Sequence, residues 1–193
     1  MPALRIDLPT SEEKIRSLRA GDEVLVSGIV HTGRDRFHKF LSEGNPSPVS
    51  LRDGAIYHCG PVVVKEGGSW RIVAAGPTTS TRENPYMPGI IRREGLRVVI
   101  GKGGMGEETA KACKERGCVY LQAVGGAAAL LAKCVKKVVG ANFVEEFGAT
   151  EACWSMEVVD FPALVGIDAS GKSLFEEVRA SSKKALDEIL KNA

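Results

Sequence analysis

Charge of one sign is scarce in this chain. Against 26 Lys and Arg stand 24 Asp and Glu, a formal net charge of +2 over 193 residues. That balance leaves no footprint for a polyanion. The two small basic clusters, Lys133/Lys136/Lys137 and Arg92/Arg93/Arg97, come with no RNP, helix-turn-helix or zinc-finger spacing, and they read as solvated faces. Long apolar runs are also missing: no window approaches the roughly 18 residues of a membrane span. The start, Met-Pro-Ala-Leu-Arg-Ile-Asp-Leu-Pro, has no basic-then-apolar leader pattern, so a cytoplasmic protein is expected. Cysteine pairs are the third absence. Cys59, Cys113, Cys118, Cys134 and Cys153 are odd in number, with neither Cys-x-x-Cys nor ferredoxin-like spacing. That argues against a disulfide framework and against an iron–sulfur cluster ligated by this chain. The cysteines read as small core residues. The three histidines form no metal set either: a helix starting between His31 and His38 would not aim both at one ion. His58 and Cys59, neighbours on a strand, point to opposite faces.

What is present suits one α/β domain over 1–193, since 44% hydrophobic and 26% charged residues are ordinary for a globular protein of this size. Thr10-Ser11-Glu12-Glu13 is a capping-box start to a short helix that Gly21 stops. Strands are expected over Val24–Val30, Ala55–Val64 and Trp70–Ala75, with a tight turn at Glu66-Gly67-Gly68-Ser69 and a short helix over Arg34–Leu41. After residue 95 a βαβα rhythm sets in: strand Leu96–Ile100, helix Glu107–Arg116 closed by Gly117, strand Val119–Val124, helix Gly125–Cys134. Two strands near Ala152–Val159 and Ala163–Asp168 and a helix over Ser173–Leu190 complete the reading. No repeat, linker or low-complexity tract interrupts it.

Two stretches carry chemistry. Gly101-x-Gly103-x-x-Gly106, between a strand and a helix, formally matches a dinucleotide fingerprint. However, the next strand ends without an acidic residue for a ribose hydroxyl, and Lys102 would fix its charge beside the ligand. A glycine-lined helix start with a lysine still suits an anion. The stronger stretch is Gly76-Pro77-Thr78-Thr79-Ser80-Thr81-Arg82, directly after an apolar strand. It puts small hydroxyls, backbone N–H groups and a guanidinium at the mouth of a sheet, as a small carboxylate requires.

That stretch resembles the G-P-T-T-x-x-R signature of the β subunit, or C-terminal domain, of class I (iron–sulfur) fumarases and L(+)-tartrate dehydratases. His31-Thr32-Gly33-Arg34-Asp35 with His38-Lys39, Tyr57–Val62, Gly101–Met105, Gly125–Ala129 and Glu151-Ala152 through Asp160–Ala163 resemble further blocks of that family in the same order. Together they cover about Val24 to Val178. The resemblance implies a swivelling β/β/α sandwich with a mixed sheet. It also implies hydro-lyase chemistry, the reversible addition of water to a C4-dicarboxylate such as fumarate. The chain would be one subunit of a heterotetramer of two α and two β subunits, with a [4Fe-4S] cluster and further acid/base groups held by the α subunit.

By the same resemblance Thr78 is the catalytic threonine, Thr79 positions substrate, Arg34 and Arg82 bind its carboxylates, and Lys102 lies in the pocket. The residues alone leave other readings open. The arginines can form local ion pairs, Arg34 with Asp35 or Arg82 with Glu83, and threonines after a strand often bond local backbone. Asp35 can also serve to orient Arg34, while Gly33 gives a ligand close approach to the backbone. Glu151 reads as an intersubunit contact or a pocket residue. Tartrate and mesaconate-type substrates share the motifs, and a stand-alone dicarboxylate-binding or regulatory module is the alternative of another class.

Overall fold

Strict alternation along three short strands splits the interior into two cores. Ala55, Tyr57 and Cys59, then Val98 and Ile100, then Val119, Leu121 and Ala123 point into one core, while Ile56, Val99 and Tyr120 point into the other. All are buried, so each of these strands reads as a continuous apolar run, as parallel strands covered on both faces do.

In the computed structural model, which describes residues 3–191, the chain opens with β1 (Leu4–Asp7), α1 (Glu12–Ser17), β2 (Glu23–Gly33) and α2 (Asp35–Ser42). There follow β3 (Ala55–His58), the hairpin β4 (Val62–Glu66) and β5 (Ser69–Ala74), a 3-10 turn Ser80–Glu83, and α3 (Met87–Glu94). The second half holds β6 (Val98–Gly101), α4 (Glu107–Arg116), β7 (Val119–Gln122), α5 (Ala128–Ala132) and β8 (Val135–Asn142). It ends with α6 (Val144–Phe147), β9 (Cys153–Ile167) and α7 (Leu174–Lys191).

Strands β2, β3, β6 and β7 run parallel in that order. The 15-residue β9 runs antiparallel to both ends of the set, pairing β2 and β7, and so closes a five-stranded barrel. β1 lies along β2 and β8 along the first half of β9, while β4 and β5 form a separate two-stranded sheet. The mixed sheet, the added hairpin and the helices agree with the β/β/α sandwich expected. The barrel core includes Val24, Val26, Val30, Phe161 and Val165. Outside it, Phe37 and Leu41 of α2, Met87, Ile90 and Ile91 of α3, and Ala112 and Cys113 of α4 cover the outer faces of β3, β6 and β7.

Local signals placed many of the boundaries. The Ser11 side chain accepts the Lys14 N–H at 3.2 Å, and Gly117 ends α4 in the left-handed region at φ 61°. Gly67 and Gly68, both at positive φ, join Glu66 to Ser69 as the hairpin turn. Elsewhere the structure differs from the sequence reading. The strand expected over Ala55–Val64 breaks after His58, and Val62 onward pairs with β5 instead. The two late strands are one, because Asp160 at φ 52° absorbs a register slip opposite Ser27, whose hydroxyl accepts the Asp160 N–H at 3.0 Å. The helix expected from Gly125 begins only at Ala128, after a turn in which Gly126 has φ 81°. β1, α3, β8 and α6 were not anticipated.

Phe161 is buried in the barrel and meets Tyr57 edge to face at 5.3 Å between ring centroids. Phe161→Ala should therefore cost about 3–5 kcal/mol in urea unfolding. Val178→Ala, on an exposed face of α7, should change the midpoint by less than about 0.5 kcal/mol.

Candidate functional site

Four parallel strands end at one level. Gly33 of β2 pairs with His58 of β3, and Gly101 of β6 pairs with Gln122 of β7. Arg34, Cys59, Lys102 and Ala123 therefore leave the sheet along one rim, at the carboxyl ends of the strands, where open α/β sheets bind ligands.

The segment from Gly76 to Arg82 is strapped across this rim. Pro77 bridges to Cys59, the Thr78 N–H donates to the His58 carbonyl at 2.7 Å, Thr79 bridges to Lys102, and the Ser80 N–H donates to the Lys102 carbonyl at 2.9 Å. Thr78 and Lys102 are half-buried and Thr79 is exposed. Among the described residues the Lys102 ammonium has no carboxylate partner. Its stem passes the Gly125 backbone, where an added Cβ would lie 3.6 Å from Cδ.

The arginines pair crosswise to the local pairs considered above. Arg34 Nε lies 3.3 Å from Glu151 Oε1, the two side chains being 23% and 16% exposed. Arg82 pairs with Asp35, so Asp35 does not hold Arg34. Glu151 Oε2 also accepts the Arg36 N–H at 3.0 Å, satisfying an otherwise orphan donor in the first turn of α2. Arg34 lies flat on Gly60, where a Cβ would come within 2.8 Å of Nη1. Gly33 has a different task from the one expected: its missing side chain makes room for His38, whose Nε2 would lie 2.4 Å from a Cβ there.

Beneath the rim sits a polar network that sequence reasoning missed. His38 Nδ1 is 2.7 Å from Glu83 Oε2, with both side chains fully buried. His58 Nδ1 is 2.9 Å from Ser80 Oγ, which also accepts the Lys102 N–H at 3.1 Å and the Tyr120 O–H at 3.0 Å. The two imidazoles meet edge to face at 5.1 Å. Burial, with His38 alongside, pushes the His58 ring well below the usual imidazole range. His31 accompanies neither; it bonds Ser155 Oγ at 2.8 Å, and burial lowers it too. His38, His58 and Ser80 each lie in a stretch that the sequence marks, but nothing in it joins them into one network. Glu83 and His38 are separated by 45 positions, which no local pattern connects.

The amides of the glycine loop are largely committed. Gly103 N–H donates to Gln122 Oε1 at 3.0 Å and Gly106 N–H to Asn84 Oδ1 at 2.9 Å, so the donors a pyrophosphate would need are already engaged. Cys59, Cys113, Cys118 and Cys153 are buried, and burial raises the Cys59 thiol to about 12 against the pull of Arg34.

The fold and its rim thus define an α/β barrel domain that gathers Arg34, Arg82, Lys102, Thr78 and Thr79 at the carboxyl ends of parallel strands. The chain belongs to the Fumarase C-terminus family, which matches residues 2–178. It is 48% identical over 187 residues to a provisionally named fumarate hydratase class I of Geobacillus stearothermophilus, covering 96% of this chain but 36% of that protein. It is 38% identical to a provisionally named L(+)-tartrate dehydratase subunit beta of Methanocaldococcus jannaschii, covering 93% of this chain and 95% of the relative. The L(+)-tartrate dehydratase subunit beta of Escherichia coli K12 is 34% identical, with 94% and 91% covered. These relatives are named for hydro-lyases. No helix among the described residues is long and apolar enough to cross a membrane.

His58 and His31 both have ring pKa values lowered by folding. Below the unfolded value of about 6.5, the unfolded chain takes up protons that the native rings refuse. Stability should therefore fall as pH drops from 6.5 to 5, at up to about 1.4 kcal/mol per pH unit for each ring, and be flat in this respect above 7. Urea midpoints at pH 7.5, 6.5, 5.8 and 5.0 test this, with His31→Gln expected to make the slope shallower without abolishing it.

Proposed function

We propose that this chain is the β subunit, or the equivalent C-terminal portion, of a class I hydro-lyase that reversibly hydrates fumarate. The observation that carries the reading is Lys102, a half-buried lysine whose ammonium has no carboxylate partner among the described residues, held beside Thr79 on a rim that also presents Arg34 and Arg82. A dicarboxylate is a fitting occupant of that charge.

In this reading Arg34 and Arg82 bind the two carboxylates. Arg34 offers its Nη edge, since Glu151 occupies the Nε side. Thr78 stands at the carbon that exchanges a proton, and Thr79 and Lys102 position the adjoining carboxylate. As the proton leaves, negative charge builds on that carboxylate, and fixed cations stabilise it more in the transition state than in the ground state. A threonine hydroxyl is neutral near pH 7 and needs an activating partner. The proposal assigns that partner to the α subunit.

The resemblance also implies a [4Fe-4S] cluster, which would supply a Lewis acid for the departing hydroxyl. The donors of this chain do not fit one: among the described residues no three His, Cys, Asp or Glu side chains are grouped so as to hold a metal ion, and four of the five thiols are buried. The cluster is therefore proposed for the α subunit.

The testing experiment is anaerobic co-expression with the α subunit, assayed against fumarate, malate and the tartrate isomers beside the chain alone. Turnover of fumarate and malate by the assembly only is expected. Turnover of tartrate in their place would move the assignment to the dehydratase for which two of the relatives are named. Dicarboxylate binding without turnover would favour a binding module. In the active assembly, Thr78→Val should lower kcat by roughly two decades with little change in KM. A raised KM with intact kcat would reduce Thr78 to a positioning role.

Arg34→Lys keeps the charge and removes the fork. Loss of one charge-assisted bond should cost about 1.5–3 kcal/mol, roughly ten- to a hundredfold in kcat/KM. Because Arg34 also contacts Glu151, the melting temperature of the variant should drop slightly. A large drop in melting temperature with full kcat/KM in the assembly would make Arg34 a structural residue.

A further inference from the structure

We infer that His58 and Ser80 form a clasp that positions Thr78, Thr79 and Lys102, so that both are positioning residues for the reaction. This inference rests on the hydro-lyase reading above. His58 grips the threonine segment at both ends. Its backbone carbonyl takes the Thr78 N–H at 2.7 Å, and its ring nitrogen Nδ1 lies 2.9 Å from Ser80 Oγ, two residues on. The intervening residue, Thr79, bridges to Lys102.

Lys102 is held by the same hydroxyl. Its N–H donates to Ser80 Oγ at 3.1 Å and its carbonyl takes the Ser80 N–H at 2.9 Å. A third partner of the hydroxyl closes the set, the Tyr120 O–H donating to Ser80 Oγ at 3.0 Å. A serine hydroxyl has two lone pairs and one proton. Lys102 and Tyr120 fill the lone pairs, so the proton goes to His58 Nδ1. The ring is then a neutral acceptor carrying its own hydrogen on Nε2.

Space at the hub is as fixed as its protons. A Cβ at Gly101 would lie 1.8 Å from Ser80 Oγ and 3.0 Å from His58 Nδ1. The far end of the same 3-10 turn is anchored by the buried His38–Glu83 pair, so the turn bearing Arg82 is held at both ends by side chains that never reach the rim. Ser80 itself is fully buried. It acts on a ligand only through where it holds Thr78, Thr79 and Lys102.

The test uses Ser80→Ala and the milder Tyr120→Phe, with two independent readouts. On the full chain alone, nitrogen NMR of the imidazoles should find His58 bare at Nδ1. Amide exchange at Thr78 should be at least tenfold faster in Ser80→Ala, measured relative to a barrel amide such as Tyr57. In the assembly with the α subunit, kcat should fall about ten- to a hundredfold in Ser80→Ala and less in Tyr120→Phe, with KM within about threefold. A residue that merely stabilises the fold would lower the melting temperature and leave kcat per folded molecule unchanged. Wild-type His58 protonated at Nδ1, or full kcat in both variants, overturns the clasp. If Ser80→Ala does not fold, Tyr120→Phe decides by the same measures. If the wild-type assembly turns over no dicarboxylate, the hydro-lyase reading fails by itself, and unchanged Thr78 exchange in the variants is the result that defeats the clasp.

Discussion

One strand holds the level at which four others end. β9 pairs with β2 along one side and with β7 along the other, and that double pairing turns a parallel ribbon into a closed barrel. Closure removes free edges and fixes register, because slipping any one strand would turn its apolar residues from the barrel core to the outer layer. The rim that carries Arg34, Lys102 and the threonine segment is a consequence of that register. Its parts come from positions scattered between residues 34 and 151, yet Arg34 and Lys102 follow strand ends that lie at one level, and the threonine segment is strapped to that level.

Electrostatics then sorts the rim. Two of its three cations arrive already paired, Arg34 with Glu151 and Arg82 with Asp35. A guanidinium can be oriented in this way and still bind, since five donors in a planar fork exceed what one carboxylate takes up. The Arg82–Asp35 pair is hydrogen-bonded but open to solvent screening at 54% and 31% side-chain exposure, whereas Arg34 Nε is sheltered and meets Glu151 as an ion pair without a hydrogen bond. Lys102, tethered through its backbone and without a carboxylate partner among the described residues, supplies the uncompensated charge. Preorganised direction and spare charge thus come from different residues.

How much of this the sequence made legible follows the range of the interactions. The hairpin turn at Gly67-Gly68, the caps at Ser11 and Gly117 and the parallel strand ends are local or periodic, and the sequence shows them. The threonine motif drew attention to Thr78, Thr79 and Arg82 because they are consecutive in chemistry as well as in position. β8 has no clear strand pattern because lysines break up its valines, and its ladder partner is β9, distant in sequence from most of it. The kink that merges two expected strands into β9 depends on a hydroxyl at Ser27, 133 positions from Asp160. The carboxylate beside Arg34 is not its sequence neighbour Asp35 but Glu151, on the segment leading into β9, because the fold brings Glu151 to the start of α2.

The glycines of the Gly101-x-Gly103-x-x-Gly106 stretch show how one pattern can answer to different physics. In a dinucleotide site the first glycine permits a tight turn and the second lets a pyrophosphate approach. Here Gly101 makes room for Ser80 and His58, while Gly103 and Gly104 take up positive φ of 78° and 76°. A Cβ at Gly104 would also strike the Phe175 ring at 2.8 Å, and Gly106 caps α4 while its amide is held by Asn84. The constraints on the motif come from the protein's own backbone and side chains. The loop is filled from within, and what it offers outward is the one residue among these glycines with a long charged side chain, Lys102.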